Sequence, residues 1–119
     1  MEIAYLSVTC HMDEMFNGHF IIKVGDWIMV RKRLCFTGSV QGVGFRYRAY
    51  HAAMGLGLTG WVQNRWDGSV LMEVQGSEAE IDRLIATINS GRFVYIDNID
   101  CQNIPIDEEE RSFKIRYSE

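Results

Sequence analysis

Gly38-Ser39-Val40-Gln41-Gly42-Val43-Gly44-Phe45-Arg46 gathers three glycines and an arginine where a strand pattern gives way to a helix pattern. Glycine admits backbone dihedrals that other residues resist. A loop that runs into a helix N-terminus offers unpaired N–H groups and the positive end of the helix dipole, a natural seat for an anion. Consecutive N–H groups in such a loop can curl around a phosphate. Arg46 opens the helix, and its planar fork matches two phosphate oxygens at once. The glycine spacing fits neither G-x-x-x-x-G-K-[ST] nor G-x-G-x-x-G, so a nucleotide P-loop and a dinucleotide turn are not expected. On these residues alone, a tight turn without a ligand stays open.

The charge map points the same way. The chain of 119 residues carries a net charge of −4, which speaks against general nucleic-acid binding. Yet Arg31 to Trp66 contains no Asp or Glu, while it holds Arg31, Lys32, Arg33, Arg46, Arg48 and Arg65. All 16 acids lie outside that stretch. A basic island in an acidic chain fits a local anion site; scattered exposed bases are the plainer alternative.

The elements that must hold this loop follow from periodicity. Arg33 to Val40 reads as a strand, and Arg46 to about Met54 as a helix with Ala49, Ala53 and Leu56 on one side, ended by Gly55 and Gly57. Thr59 to Asn64 and Ser69 to Gln75 read as strands joined by the Asp67-Gly68 turn, hence a hairpin. Ser77-Glu78-Ala79-Glu80 is a capping box. Behind it Ile81, Leu84, Ile85 and Ile88 form one apolar helix face, and Gly91 stops the helix. Phe93 to Ile99 and Cys101 to Ile106 are strand-like but broken by Asp97, Asp100 and Pro105. Asp107 to Glu110 reads as a solvated turn, and Ser112 to Tyr117 as the last strand. The order predicts an α+β fold, the ferredoxin-like split βαβ, with an antiparallel sheet and two helices on one face.

Length and composition fit one domain: 47% of the residues are hydrophobic and 24% charged, an ordinary globular balance. No apolar run reaches the roughly 18 residues of a membrane span. Nor does the start resemble a secretory leader. Cys10, Cys35 and Cys101 are an odd count without C-x-x-C, which predicts reduced thiols in a cytoplasmic protein and no zinc site. Residues 1–28 show no clear helical period and are expected to be an appendage to a domain at 29–119. Within it Phe20 to Val24 is a candidate extra strand or flap, and Met29 is a candidate start site. His11 and His19 lie in the appendage, and Cys10-His11 is too sparse to hold a metal. His51 reads as a surface or half-buried histidine, and Phe45, Trp61 and Trp66 as packing residues.

Two stretches give the loop a specific resemblance. Gly38-Ser39-Val40-Gln41-Gly42-Val43-Gly44-Phe45-Arg46 resembles the first signature of the acylphosphatase family, G-x-V-Q-G-V-x-F-R. Gly60-Trp61-Val62-Gln63-Asn64, followed by Gly68-Ser69-Val70 and Gly76, resembles the second. Ser112 to Tyr117 is similar to the family's closing strand, and the likeness spans about residues 30–117. The resemblance implies that Arg46 binds the phosphate, that Asn64 orients the attacking water, and that Gly38, Ser39, Val40, Gln41, Gly42, Val43 and Gly44 form the cradle. Ser69 falls where relatives often carry a hydroxyl that supports the asparagine. In some relatives the terminal carboxylate approaches the arginine. Two residues follow Tyr117 here, so that contact is expected to differ.

The implied activity is hydrolysis of acyl phosphates to carboxylate and inorganic phosphate. It would proceed by in-line water attack, with no covalent intermediate, no metal and no cofactor. The chemistry suits the residues. Phosphoryl transfer asks mainly for positioning and charge stabilisation, and a carboxylate leaving group, whose acid has a pKa of about 4, departs without a general acid. Asparagine is no base at neutral pH, but its amide can aim a water. The expected partners are a small acyl phosphate and inorganic phosphate as product or inhibitor, with no nucleic acid or membrane, and the protein is expected to be a monomer. The alternative is a non-catalytic module that binds phosphate or carbamoyl phosphate.

Overall fold

The computed structural model describes residues 28–117. All but the last residue of the appendage expected at 1–28, and the last two residues of the chain, lie outside that range. Seven elements follow in order: β1 (Met29–Ser39), α1 (Phe45–Leu56), β2 (Thr59–Asn64), β3 (Val70–Ser77), α2 (Glu78–Asn89), β4 (Tyr95–Ile104) and β5 (Phe113–Arg116). They build one five-stranded sheet in the order β4-β1-β3-β2-β5.

Alternation along the strands decides which face carries the core. In β1, Leu34 and Phe36 are buried on one face, and their partners Met72 and Val70 in β3 are buried beside them. Val62 of β2 joins them opposite Met72. Both helices cover this face. The hairpin-side helix α1 contributes Phe45, Ala49 and Ala53, and α2 contributes Ile81, Leu84, Ile85 and Ile88 to the same cluster. The two alanines let α1 approach its neighbours closely, while α2 uses a broad aliphatic stripe. Ser77 caps α2 as its sequence predicts, its hydroxyl accepting from the Glu80 N–H at 3.2 Å.

Two departures from the sequence expectations concern how the sheet is completed, and a third the end of α1. The broken stretch 93–106 forms one continuous strand, Tyr95–Ile104, antiparallel to β1. It, rather than 112–117, closes the split βαβ. It lies at an edge of the sheet, so Asp97 and Asp100 point to solvent without cost. A register shift between Thr37 and Gly38 absorbs its irregularity. The final strand β5 then adds on the far edge, parallel to β2, so the sheet is mixed. Finally, Gly55 lies inside α1, which ends at Gly57 in the left-handed conformation.

The face without helices is held by charge. Arg31 is 5% exposed and forms ion pairs with Glu110 at 2.7 Å and Glu73 at 3.0 Å, and it donates to Gln75 Oε1 at 3.1 Å. Burial would lower its pKa, but the two carboxylates outweigh that and raise it. Glu110 is thus a structural partner, where the sequence suggested a solvated acidic turn. Gln75 closes the loop from the other side, accepting from Asp107 N–H and donating to Asp107 O. Cys35 is a free, half-buried thiol. Cys101 is disulfide-bonded, where a reduced thiol was expected.

Candidate active site

A cleft of about 180 Å³ opens where β1 hands the chain to α1. Val40, Gly42, Gly44, Phe45 and Arg46 line it from the loop and helix. Asn64 closes it from the end of β2, and Tyr47, Ile115 and Tyr117 form its outer wall. Residues from two separate sequence signatures, Arg46 and Asn64, therefore face one space.

The loop conformation depends on its glycines. Gly42 has φ +75° and Gly44 φ +82°, with open space where a Cβ would stand. These left-handed turns cost an L side chain about 1–2 kcal/mol each. Gly38 serves differently. It pairs with Ile96 of β4, and a Cβ there would overlap the Tyr95 carbonyl. Together with Ser39, it anchors the loop in the sheet. Val40 is fully buried and Val43 packs against the core.

The two helix starts contrast. α2 satisfies its first turn with Ser77, Glu78 and Glu80. α1 begins at Gly44 with no side-chain cap and no acidic residue in its first turn. Its leading N–H groups and dipole are left to a ligand, and a dianion suits them. Arg46, half-buried in that first turn, adds a permanent positive charge, and its guanidinium carbon lies 5.2 Å from the centre of the Tyr117 ring.

Asn64 supplies a different kind of group. Its Oδ1 is buried and accepts no hydrogen bond among the described residues. A buried acceptor left unpaired costs about 1–3 kcal/mol, so this oxygen calls for a donor in the cleft. A water O–H fits that demand.

The hairpin behind Asn64 is tightly tied. Gln41 Nε2 donates to Arg65 O at 2.6 Å and to Ser69 O at 2.8 Å. Arg65 N–H donates to Ser69 O, and Gly68 N–H to Arg65 O. Ser69 does not reach into the cleft. Its hydroxyl donates to Asp67 Oδ1 at 2.6 Å, and its N–H donates to the same oxygen at 2.9 Å. Those two bonds, the hydroxyl's first, hold the Asp67 carboxyl below the usual carboxylate range. Any support Ser69 lends to Asn64 therefore passes through the turn.

The basic island is dispersed by the fold. Arg31 is committed to Glu73 and Glu110, and Lys32 to Glu78. Arg33 and Arg65 line a separate hollow on the helix-free face. Arg46 alone of the six lines the cleft. His51 is exposed and stacks edge-on against Tyr47. Phe45 packs on Phe36, and Trp61 lies beneath Arg116, as packing residues should, whereas Trp66, expected to pack as well, is exposed at the hairpin turn. Tyr47, Ile115 and Tyr117 had no signal in the sequence marking them as lining residues. Among the described residues no group of three His, Cys, Asp or Glu side chains could hold a metal ion, and no helix is long and apolar enough to cross a membrane.

Known proteins resemble this chain in sequence and in fold. The acylphosphatase of Geobacillus kaustophilus is 40% identical over 90 residues, covering 75% of this chain and 96% of that protein. The acylphosphatase of Clostridium acetobutylicum is 42% identical over 91 residues, covering 76% of this chain and all of that protein. The crystal structure of the acylphosphatase from Bacillus subtilis superposes with a TM-score of 0.68 at 32% identity, covering 74% of this chain and 99% of that one. The family model described as acylphosphatase matches residues 32–115, which include the loop, Arg46, Asn64 and all of the sheet but the first three residues of β1 and the last of β5. By sequence and by fold, the chain belongs to the acylphosphatase family.

Proposed function

We propose that residues 29–119 hydrolyse acyl phosphates to a carboxylate and inorganic phosphate, with Arg46 and Asn64 as the catalytic residues. Family membership supports the reaction class. The observation that carries the site is the meeting of Arg46, the glycine loop and the unpartnered Asn64 Oδ1 in one cleft.

The division of labour follows from the chemistry of each group. The N–H groups at the start of α1 and the Arg46 guanidinium hold the phosphoryl oxygens and gain most as charge redistributes in the transition state. Asn64 Oδ1 accepts a hydrogen bond from a water and aims its oxygen at phosphorus. The new P–O bond forms as the bond to the acyl oxygen breaks, and the carboxylate leaves as an anion. The proton lost by the water passes to phosphate or solvent. No side chain needs to act as an acid, a base or a nucleophile.

Benzoyl phosphate hydrolysed in ¹⁸O-labelled water, with a chelator present, tests this reading. Label in the phosphate and none in the benzoate, without a pre-steady-state burst, is the expected result. Label in the benzoate would mean attack at the carbonyl carbon. Phosphate binding without turnover on several acyl phosphates would instead favour the non-catalytic module.

A further inference from the structure

We infer that Gln41 is a positioning residue that sets Asn64 for attack by clamping the β2–β3 hairpin to the phosphate loop; this rests on the reading of Asn64 given above. Gln41 sits in the loop itself, one residue before Gly42. Its side chain turns away from the cleft and bridges Arg65 O at 2.6 Å and Ser69 O at 2.8 Å. Both partners are carbonyl oxygens, so only the NH₂ end of the amide satisfies them, one N–H to each. These two carbonyls are the two ends of the turn that follows Asn64, and Arg65 N–H donates to the same Ser69 O.

The geometry makes the clamp specific to Asn64. Asn64 pairs with Val70 as the last rung of the β2–β3 ladder, and the turn begins at the next residue. Asn64 Oδ1 makes no hydrogen bond of its own among the described residues, so its place is set by its backbone. The Gln41 side chain ties that backbone to the loop carrying the proposed phosphate site. One amide thus fixes the distance between the phosphoryl seat and the water-aiming group. In-line attack is sensitive to that distance: a misplacement of about 1 Å can cost about 100-fold in rate.

Three variants and one cycle test this. Gln41→Met keeps the length and removes both donors; Gln41→Glu keeps size and shape but turns acceptors toward two carbonyls. Both are expected to lower kcat on benzoyl phosphate by about 10-fold to 100-fold, with KM and the inhibition constant of inorganic phosphate within about twofold of wild type, since the Gln41 side chain does not line the cleft and acts through the placing of Asn64. In an Asn64→Ala background, Gln41→Met is expected to have no further effect on kcat, because a residue that acts through another adds nothing once that one is gone. Thermal unfolding and amide spectra confirm that each variant is folded; an unfolded Gln41→Met leaves the test to Gln41→Glu and to Gln41→Asn, which keeps the donors on a shorter stem and is expected to lose rate without losing phosphate affinity. Additive losses in the cycle, or phosphate affinity falling in step with kcat, overturn the inference in favour of a general structural role. If Asn64→Ala is slow and Gln41→Met runs at the wild-type rate, the inference alone fails. If Asn64→Ala itself runs at the wild-type rate, the role of Asn64 fails, and the inference with it.

Discussion

The Arg46 guanidinium lies over the ring of Tyr117, 5.2 Å from its centre. Arg46 comes from the first turn of α1 and Tyr117 directly follows β5, so the contact ties the cleft to the last strand of the sheet. Tyr117 is exposed, and an exposed cation–π contact is worth about 0.5–1 kcal/mol. Tyr117→Ala is therefore expected to weaken phosphate inhibition about twofold to fivefold. Tyr117→Phe, which keeps the ring face, is expected to match wild type. Competitive inhibition of turnover by phosphate measures both.

The Arg31 cluster makes the opposite prediction, a stability effect without a binding effect. Arg31→Met leaves Glu73 and Glu110, both mostly buried, facing each other without a cation. Breaking a buried pair from one side costs about 3–5 kcal/mol, and the partial exposure of the carboxylates puts the expected loss near the lower end. Denaturant unfolding measures the loss. Phosphate affinity is expected to stay unchanged, because the cluster lies on the helix-free face of the sheet.

Two glycines of the signatures separate steric need from conformational need. A Cβ on Gly60 would overlap the Glu73 carbonyl oxygen across the β2–β3 ladder, at φ +143°. Gly60→Ala is expected to cost about 3 kcal/mol or more, from strain and overpacking together. Gly44→Ala meets open space at φ +82° and is expected to cost only about 1–2 kcal/mol. Equal losses in urea unfolding would contradict the steric account of Gly60.

Asp67 gives a pH signature for the hairpin tip. Hydrogen bonds from the Ser69 hydroxyl and then the Ser69 N–H lower its pKa in the folded protein. A depressed carboxylate stabilises the fold at pH values above its unfolded pKa of about 3.9, and that contribution disappears as pH falls through the folded value. The turn is therefore expected to be insensitive to pH above about 5 and to loosen only below the ordinary carboxylate range. Carbon-detected NMR titration of Asp67 is expected to show a midpoint below 3.9, and Ser69→Ala to move it upward.

The division between legible and hidden features has a physical basis. Local signals survive in sequence. The Asp67-Gly68 turn, the Ser77 cap and the 3.6-residue stripe of α2 need only neighbours to form, and all three stand where the pattern placed them. Arg46 was legible from its loop and helix start, whereas Asn64 was legible only through the family signature. Long-range pairings left no trace. Arg31 meets partners 42, 44 and 79 residues away, and no periodicity announces them. β4 looked broken because a strand at the sheet edge tolerates outward acids, and the parallel docking of β5 depends on sheet topology alone. The basic island suggested a cluster that the sheet then pulled apart.

The central claim is that Arg46 binds phosphate and Asn64 aims the water, and the two variants Arg46→Ala and Asn64→Ala separate those roles most directly. Steady-state hydrolysis of benzoyl phosphate, with the phosphate inhibition constant measured on each variant, gives the answer. Removing a preorganised charge-stabilising group costs about 100-fold to 1,000-fold in rate. Arg46→Ala is expected to lose that much and to bind phosphate more than tenfold weaker. Asn64→Ala is expected to lose about 100-fold or more in kcat with phosphate affinity unchanged. An Asn64→Ala protein that turns over at the wild-type rate, or an Arg46→Ala protein that binds phosphate as tightly as wild type, would contradict the account.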